Sequence, residues 1–231
     1  KWESVSPIMV HAMGSTVEIA INLAEKFKRK IHICHVTADQ MPMIIKAKNR
    51  GLKISTEVCP HHLFLNKNDD GRLGTLAMMQ PPLTTKRLQE KIWDYIQEID
   101  MISTDHAPHT LDEKKDNKSP KFGVPGLETT LPLMLHAVKR KKITQQKVVE
   151  MLSTNLRRIF NLPLQKNTYI EIDTSQKVIL GGKNLFTKCK WTPFEGMEGR
   201  GKVTRVVVRG HTIFENGNFL GRPVGKVIYP N

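Results

Sequence analysis

At 231 residues with 39% hydrophobic content the chain is long enough to bury a core of its own, and none of its apolar runs reaches the roughly 20 residues of a membrane-spanning helix. The formal charge of +14 favours acidic partners, but the basic residues are spread over helix-like segments, with only short runs such as 139–142 and no interleaved aromatic residues, which argues against nucleic-acid binding. Cys34, Cys59 and Cys189 are odd in number and lack zinc-finger spacing, and no secretory leader opens the sequence, so the expectation is a cytoplasmic protein without a disulfide framework or membrane association.

In chain order, residues 7–11 (PIMVH) form a short buried-strand pattern, and Ser15 with Glu18 reads as a capping box opening a helix to about residue 30. Residues 30–36 (KIHICHV) are the next strand, followed by a helix over 39–50 that Gly51 ends. A third strand at 53–59 (KISTEVC) stops at Pro60, and a long connection containing HHLFL and MMQPPL leads to an amphipathic helix over 84–99. The fourth strand ends in ISTDHAPHT, where Pro108 rules out continuation. Strands alternating with helices at this spacing imply parallel βα units. Asn117-Lys118-Ser119 spells a glycosylation sequon, without meaning in a cytoplasmic protein. Helices follow at 127–141, with Pro132 in an early turn, and at 145–152, with Thr144 as N-cap, and a basic turn lies at 155–160. From about Thr168 the pattern changes to strand-type alternation, with Asn216-Gly217 as a hairpin signal. This divides the chain into 1–165, the βα units, and 166–231, part of a small β-domain.

The strand tips carry His11, then Cys34 and His35, then Glu57, then Asp105 with His106 and His109. Parallel strands bring their C-terminal ends to one face, and imidazoles with carboxylates there suit a zinc site in which a carboxylate also moves protons. A single histidine at a strand end is usually structural, but four successive tips with ligand-type residues point to a metal.

Six segments then carry a resemblance: HICHV (32–36), EVCPHHLFL (57–65), STDHAPHT (103–110), PGLETTLPLML (125–135), NLRRIF (155–160) and WTPFEG (191–196). Together the chain resembles the dihydroorotases of the amidohydrolase superfamily, most closely those fused into animal-type multifunctional pyrimidine enzymes. The resemblance implies an α/β fold: the C-terminal half, strands five to eight, of a (β/α)8 metallo-dependent hydrolase barrel plus part of a small β-domain. It implies at least two Zn2+ ions per complete site, with His11 and His35 as ligands and Asp105 as both ligand and proton carrier. His109 is implied to contact a substrate carboxylate, Gln80 to assist it, and the loop at Phe122 and Gly123 to lie against the substrate. Cys34 and Glu57 stand beside these ligands, either as holders of an extra metal or as supporting groups, and a small core thiol and a hydrogen-bonded strand carboxylate are equally open readings. His32, His61, His62, His136 and His211 read as structural, with His61 and His62 nearest the site.

The implied reaction is the reversible conversion of N-carbamoyl-aspartate to dihydroorotate, in a homo-oligomer associated with or fused to other pyrimidine-pathway enzymes. The alternatives are a dihydropyrimidinase or hydantoinase, and a non-catalytic scaffold. Three departures bear on that choice. The family's His-x-His pair, arginine and bridging ligand have no counterpart before His11. Gln80 stands where the family has arginine or asparagine, and Met13 replaces a glutamate.

Overall fold

The parallel sheet is built from short strands that alternate with helices, each helix laying an apolar stripe on the strands. The computed structural model describes residues 5–116, 118–182 and 185–230; Asn117, on which the sequon depends, lies outside them. Strand β1 (Ile8–Val10) is followed by α1 (Ser15–Lys26), β2 (Ile31–Ile33) by α2 (Met41–Asn49), and β3 (Ile54–Val58) by the long connection. That connection contains α3 (Pro60–Phe64), α4 (Asp70–Leu73) and α5 (Lys86–Lys91) before β4 (Met101–Ile102). The sheet order is β1-β2-β3-β4, all parallel, with Ile8 opposite Ile31, Ile31 opposite Ile54 and Glu57 opposite Met101. Because the register advances evenly, the residues just past each strand meet along one rim of the sheet.

Val17, Ile21 and Ala24 of α1 and Met41, Ile44 and Ala47 of α2 are buried against Ile31, Ile33, Ile54 and Val58. Each large apolar side chain among them contributes about 1.5–3 kcal/mol. A second cluster joins Leu65, Met79 and Leu83 of the connection to Val124, Leu133, Trp191 and Phe194, and so ties the rim loops to the C-terminal part of the chain.

Past β4 come α6 (Leu111–Lys115), α7 (Leu127–Lys139), α8 (Gln145–Val149) and α9 (Asn155–Ile159), the last two joined by a π-helical turn. A four-stranded antiparallel sheet follows in the order β5 (Tyr169–Ile179), β6 (Glu198–Val208), β7 (His211–Glu215) and β8 (Asn218–Phe219). Asn216 and Gly217, at φ 48° and 92°, make the expected tight turn between β7 and β8. Strand β6 packs on α7 so closely that a Cβ at Gly199 would lie 2.8 Å from Pro132 Cβ.

Several local expectations need correction. The Ser15–Glu18 capping box does not form: α1 is entered through Gly14 without a side-chain cap, and Thr16 instead closes the turn on Met13 at 2.7 and 2.8 Å. The helix ends at Lys26, because the backbone turns left-handed at Lys28. The helix expected over 84–99 is α5 followed by a 3-10 turn at Ile92–Tyr95, entered through the Thr85 cap. Helices α3, α4 and α6 occupy stretches that carry no helical periodicity.

Candidate active site

His11 follows β1 and His35 follows β2, and the parallel register puts the two rings in contact. His35 Nε2 lies 2.7 Å from His11 Nδ1, with the ring centroids 4.5 Å apart at 77°. One proton lies between those nitrogens, and the other His35 nitrogen, Nδ1, is buried without a partner. Burial first, then the neighbouring His11, lowers the His35 pKa, so the ring stays neutral with a lone pair to offer. Two touching imidazoles, one with an orphaned buried nitrogen, form a donor set of the zinc type.

Asp105 stands past β4 on the same rim. Its carboxylate makes no hydrogen bond or ion pair with the described residues, while its negative charge acts to raise the pKa of His35, Cys34 and Cys59. Both His35 (φ 39°) and Asp105 (φ 44°) have left-handed backbones, a conformation uncommon outside glycine and frequent at functional sites.

Cys34 and Glu57 join a different histidine from the one beside them in the resemblance. His32 Nε2 is 3.1 Å from Glu57 Oε2 while its Nδ1 is 2.8 Å from Ser55 Oγ, and His32, Cys34 and Glu57 have ligand atoms within 4.8 Å of one another. Burial, and then the charge and hydrogen bond of Glu57, push the Cys34 thiol up to about 12. Cys34 therefore remains a thiol, unless a cation displaces its proton.

A second group does not follow from the strand tips. Cys59, His61 and His62 also bring ligand atoms within 4.8 Å, and all three are buried. His62 Nε2 donates to the Pro81 carbonyl at 3.2 Å, while His62 Nδ1 and His61 Nε2 have no partner. Burial holds His62 down to about 4 and His61 well below the ordinary imidazole range, with His62 and His35 adding to the effect on His61. Its signal in the sequence is the histidine doublet directly after Cys59-Pro60, where the chain turns into α3.

The residues expected to meet substrate lie on loops around the rim. Gln80 is exposed and joined to Pro81 by a cis peptide. Phe122 is exposed, and the Gly123 N–H donates to the Met78 carbonyl at 2.9 Å, so the segments carrying Gln80 and Phe122 are tied together. Gly123 sits at φ 118°, where a Cβ would run into the Ala107 carbonyl oxygen. His109 is half-buried, with Nδ1 3.5 Å from the Glu113 carboxylate and its carbonyl accepting from Trp191 Nε1 at 2.7 Å. Among the described residues no hydrogen bond or ion pair links Gln80 or His109 to the His11–His35 pair. His106 is held by the start of α7, its Nδ1 accepting from the Gly126 N–H at 3.1 Å.

No protein-family model matches the chain. Its sequence is 44% identical over 225 residues to the multifunctional protein CAD of Squalus acanthias and 45% identical over 223 residues to the multifunctional protein pyr1-3 of Dictyostelium discoideum, covering 96% of this chain and 10% of each of those proteins. It is 36% identical over 222 residues to the dihydroorotase of Pyrococcus horikoshii, covering 92% of this chain and 51% of that enzyme. The chain thus spans a tenth of the multifunctional relatives and about half of the archaeal one. The L-hydantoinase of Arthrobacter aurescens superposes with a TM-score of 0.83 at 24% identity, over 89% of this chain and 49% of that one, a likeness of fold. The inactive dihydroorotase-like domain of the Chaetomium thermophilum CAD-like multifunctional protein superposes with a TM-score of 0.79 at 28% identity, over 96% of this chain and 62% of that one. Over more than nine-tenths of its length the chain is thus similar to an archaeal dihydroorotase and to multifunctional proteins, and its four parallel βα units fit half of a (β/α)8 barrel.

Proposed function

We propose that this chain supplies half of the active site of a dihydroorotase, which interconverts N-carbamoyl-aspartate and dihydroorotate in pyrimidine biosynthesis. The observation that carries the reading is the contact of His11 with His35 on the rim that Asp105 also occupies. These three residues would hold zinc, which when bound supplies Lewis-acid polarisation of the reacting carbonyl and acidifies the attacking water. Asp105 then carries the proton to or from the ring nitrogen, and its exposure leaves it free to reach substrate. His109 and Gln80 take the substrate carboxylate, and the Phe122–Gly123 loop covers it. Cys34 and Glu57, with His32, support the ligands or hold a further ion.

On the same reading the chain divides at 165/166 into barrel and β-domain segments. The protein works in the cytoplasm as a homo-oligomer, joined to or acting beside other pyrimidine-pathway enzymes as the multifunctional relatives suggest. Among the described residues no helix is long and apolar enough to cross a membrane.

A second reading, a barrel that has kept its scaffold without the activity, is favoured by Met13 and Gln80 and by the likeness to a domain described as inactive. Turnover by the full native protein decides between them. Dihydroorotate should be hydrolysed and dihydrouracil, which lacks the carboxylate, should not; the reverse preference would indicate a hydantoinase-type enzyme. Asp105→Ala should lower kcat by about 10²–10⁴-fold, whereas absence of both zinc and turnover in the parent protein establishes the scaffold.

A further inference from the structure

Lys114, on α6, is fully buried, an unusual place for an ammonium. Its Nζ donates to three backbone carbonyls: Met78 at 2.8 Å, Lys121 at 2.8 Å and Gly123 at 3.0 Å. All three N–H bonds are thereby used, and among the described residues no carboxylate pairs with it. The ammonium also lies 5.7 Å from the centre of the Trp191 ring, whose indole N–H holds the His109 carbonyl. Each segment carrying an expected substrate contact, Gln80, Phe122–Gly123 or His109, therefore reaches Lys114 directly or through one neighbour. Burial lowers the amine to about 8, which leaves the ammonium predominant at neutral pH.

We propose that Lys114 is the positioning residue of the substrate-carboxylate pocket: its ammonium draws the 78–80 and 121–123 segments onto α6 and leaves an uncancelled positive charge beneath them. A packing role alone is served by an apolar side chain. A buried cation with only carbonyl partners adds a fixed field that favours an anion above it, which matters more where Gln80, itself uncharged, stands in place of arginine or asparagine. The identity of the anion rests on the dihydroorotase reading; the tie between the loops does not.

The test uses the full native protein and two variants, Lys114→Met and Lys114→Gln. Hydrogen exchange read by mass spectrometry should show the 78–83 and 116–126 segments opening together about tenfold or more faster in Lys114→Met, since charge-assisted hydrogen bonds are lost. KM for dihydroorotate should rise about tenfold or more while kcat changes little, the pattern of lost substrate positioning. Lys114→Gln keeps a donor without the charge, so it should restore part of the protection and leave KM raised. Unchanged exchange in both variants overturns the proposal, as does a fall in kcat at constant KM. If Lys114→Met does not fold, Lys114→Gln decides alone, and parental exchange together with parental KM rejects the assignment. A parent protein without turnover sinks the dihydroorotase reading, while the exchange result still decides the tie.

Discussion

At the scale of single residues the chemistry is set by what burial withholds. His62 stays neutral to about pH 4 in the folded chain against an ordinary 6.5. Between those values the unfolded chain binds a proton that the folded one refuses, so the stability due to this residue is complete above about pH 6.5 and is lost as the pH falls toward 4. Urea midpoints at pH 7.5 and 5 should show this fall, and His62→Gln should flatten it; an unchanged slope would remove His62 as its cause. Gly123 gives a second outcome. With a positive φ, and with the Ala107 carbonyl oxygen standing where a methyl group would have to go, Gly123→Ala must push the 121–123 loop outward. Its exchange should rise and substrate affinity should fall, with the barrel helices unaffected.

Among the elements, α6 matters more than its five residues suggest, because it carries Lys114 and starts directly after His109 and Thr110. Thr110 accepts from the Glu113 N–H at 3.2 Å while the Glu113 carboxylate takes the Thr110 N–H at 2.8 Å, a complete capping box. Thr110→Ala should cost about 1 kcal/mol, measured as a shift in denaturation midpoint accompanied by faster exchange of 111–115. That T-x-x-E signature is visible in the sequence, but no apolar periodicity follows it to announce a helix. The Ser15–Glu18 pattern is equally visible and misleading, since Thr16 competes for the same turn. Strands β1 to β4, the long helices and the β7–β8 turn are legible because apolar periodicity and Asn-Gly chemistry are local signals. Helices α3 and α4 are not, since pieces of four or five residues are held by packing and leave little periodicity to read. The strand tips announce His11, His35 and Asp105 individually. The 2.7 Å contact between two histidines 24 residues apart, and the grouping of Cys59 with His61 and His62, depend on register and on the path of the connection.

At the scale of the whole molecule, β1 is the edge of the sheet among the described residues, and the elements there are apolar on faces that no described residue covers. Met9 is 58% exposed, and Ile19, Leu23 and Phe27 form a stripe at i, i+4 and i+8 along α1 and its C-cap with 57%, 49% and 61% exposure, opposite the buried Val17, Ile21 and Ala24. A helix that carries a second apolar stripe besides its buried one, between polar residues such as Glu18, Asn22 and Glu25, has a face suited to cover by another surface. Taken by itself, the 231-residue chain should bind a hydrophobic dye and self-associate in a concentration-dependent way. Replacing Leu23 and Phe27 by lysine should reduce both effects. A dye-silent monomer at high concentration would show that this face is tolerated in water.

The left-handed backbone at His35 and Asp105 sets folding and chemistry against each other. For most residues this conformation costs roughly 1–2 kcal/mol, and glycine would adopt it freely, yet glycine has neither an imidazole nor a carboxylate to offer. A search for more heat-resistant variants would thus be drawn to these two positions, and each gain there would be made by removing an imidazole or a carboxylate from the rim. Durability and reactivity of the rim are competing properties, and only a screen that scores both can improve one without forfeiting the other.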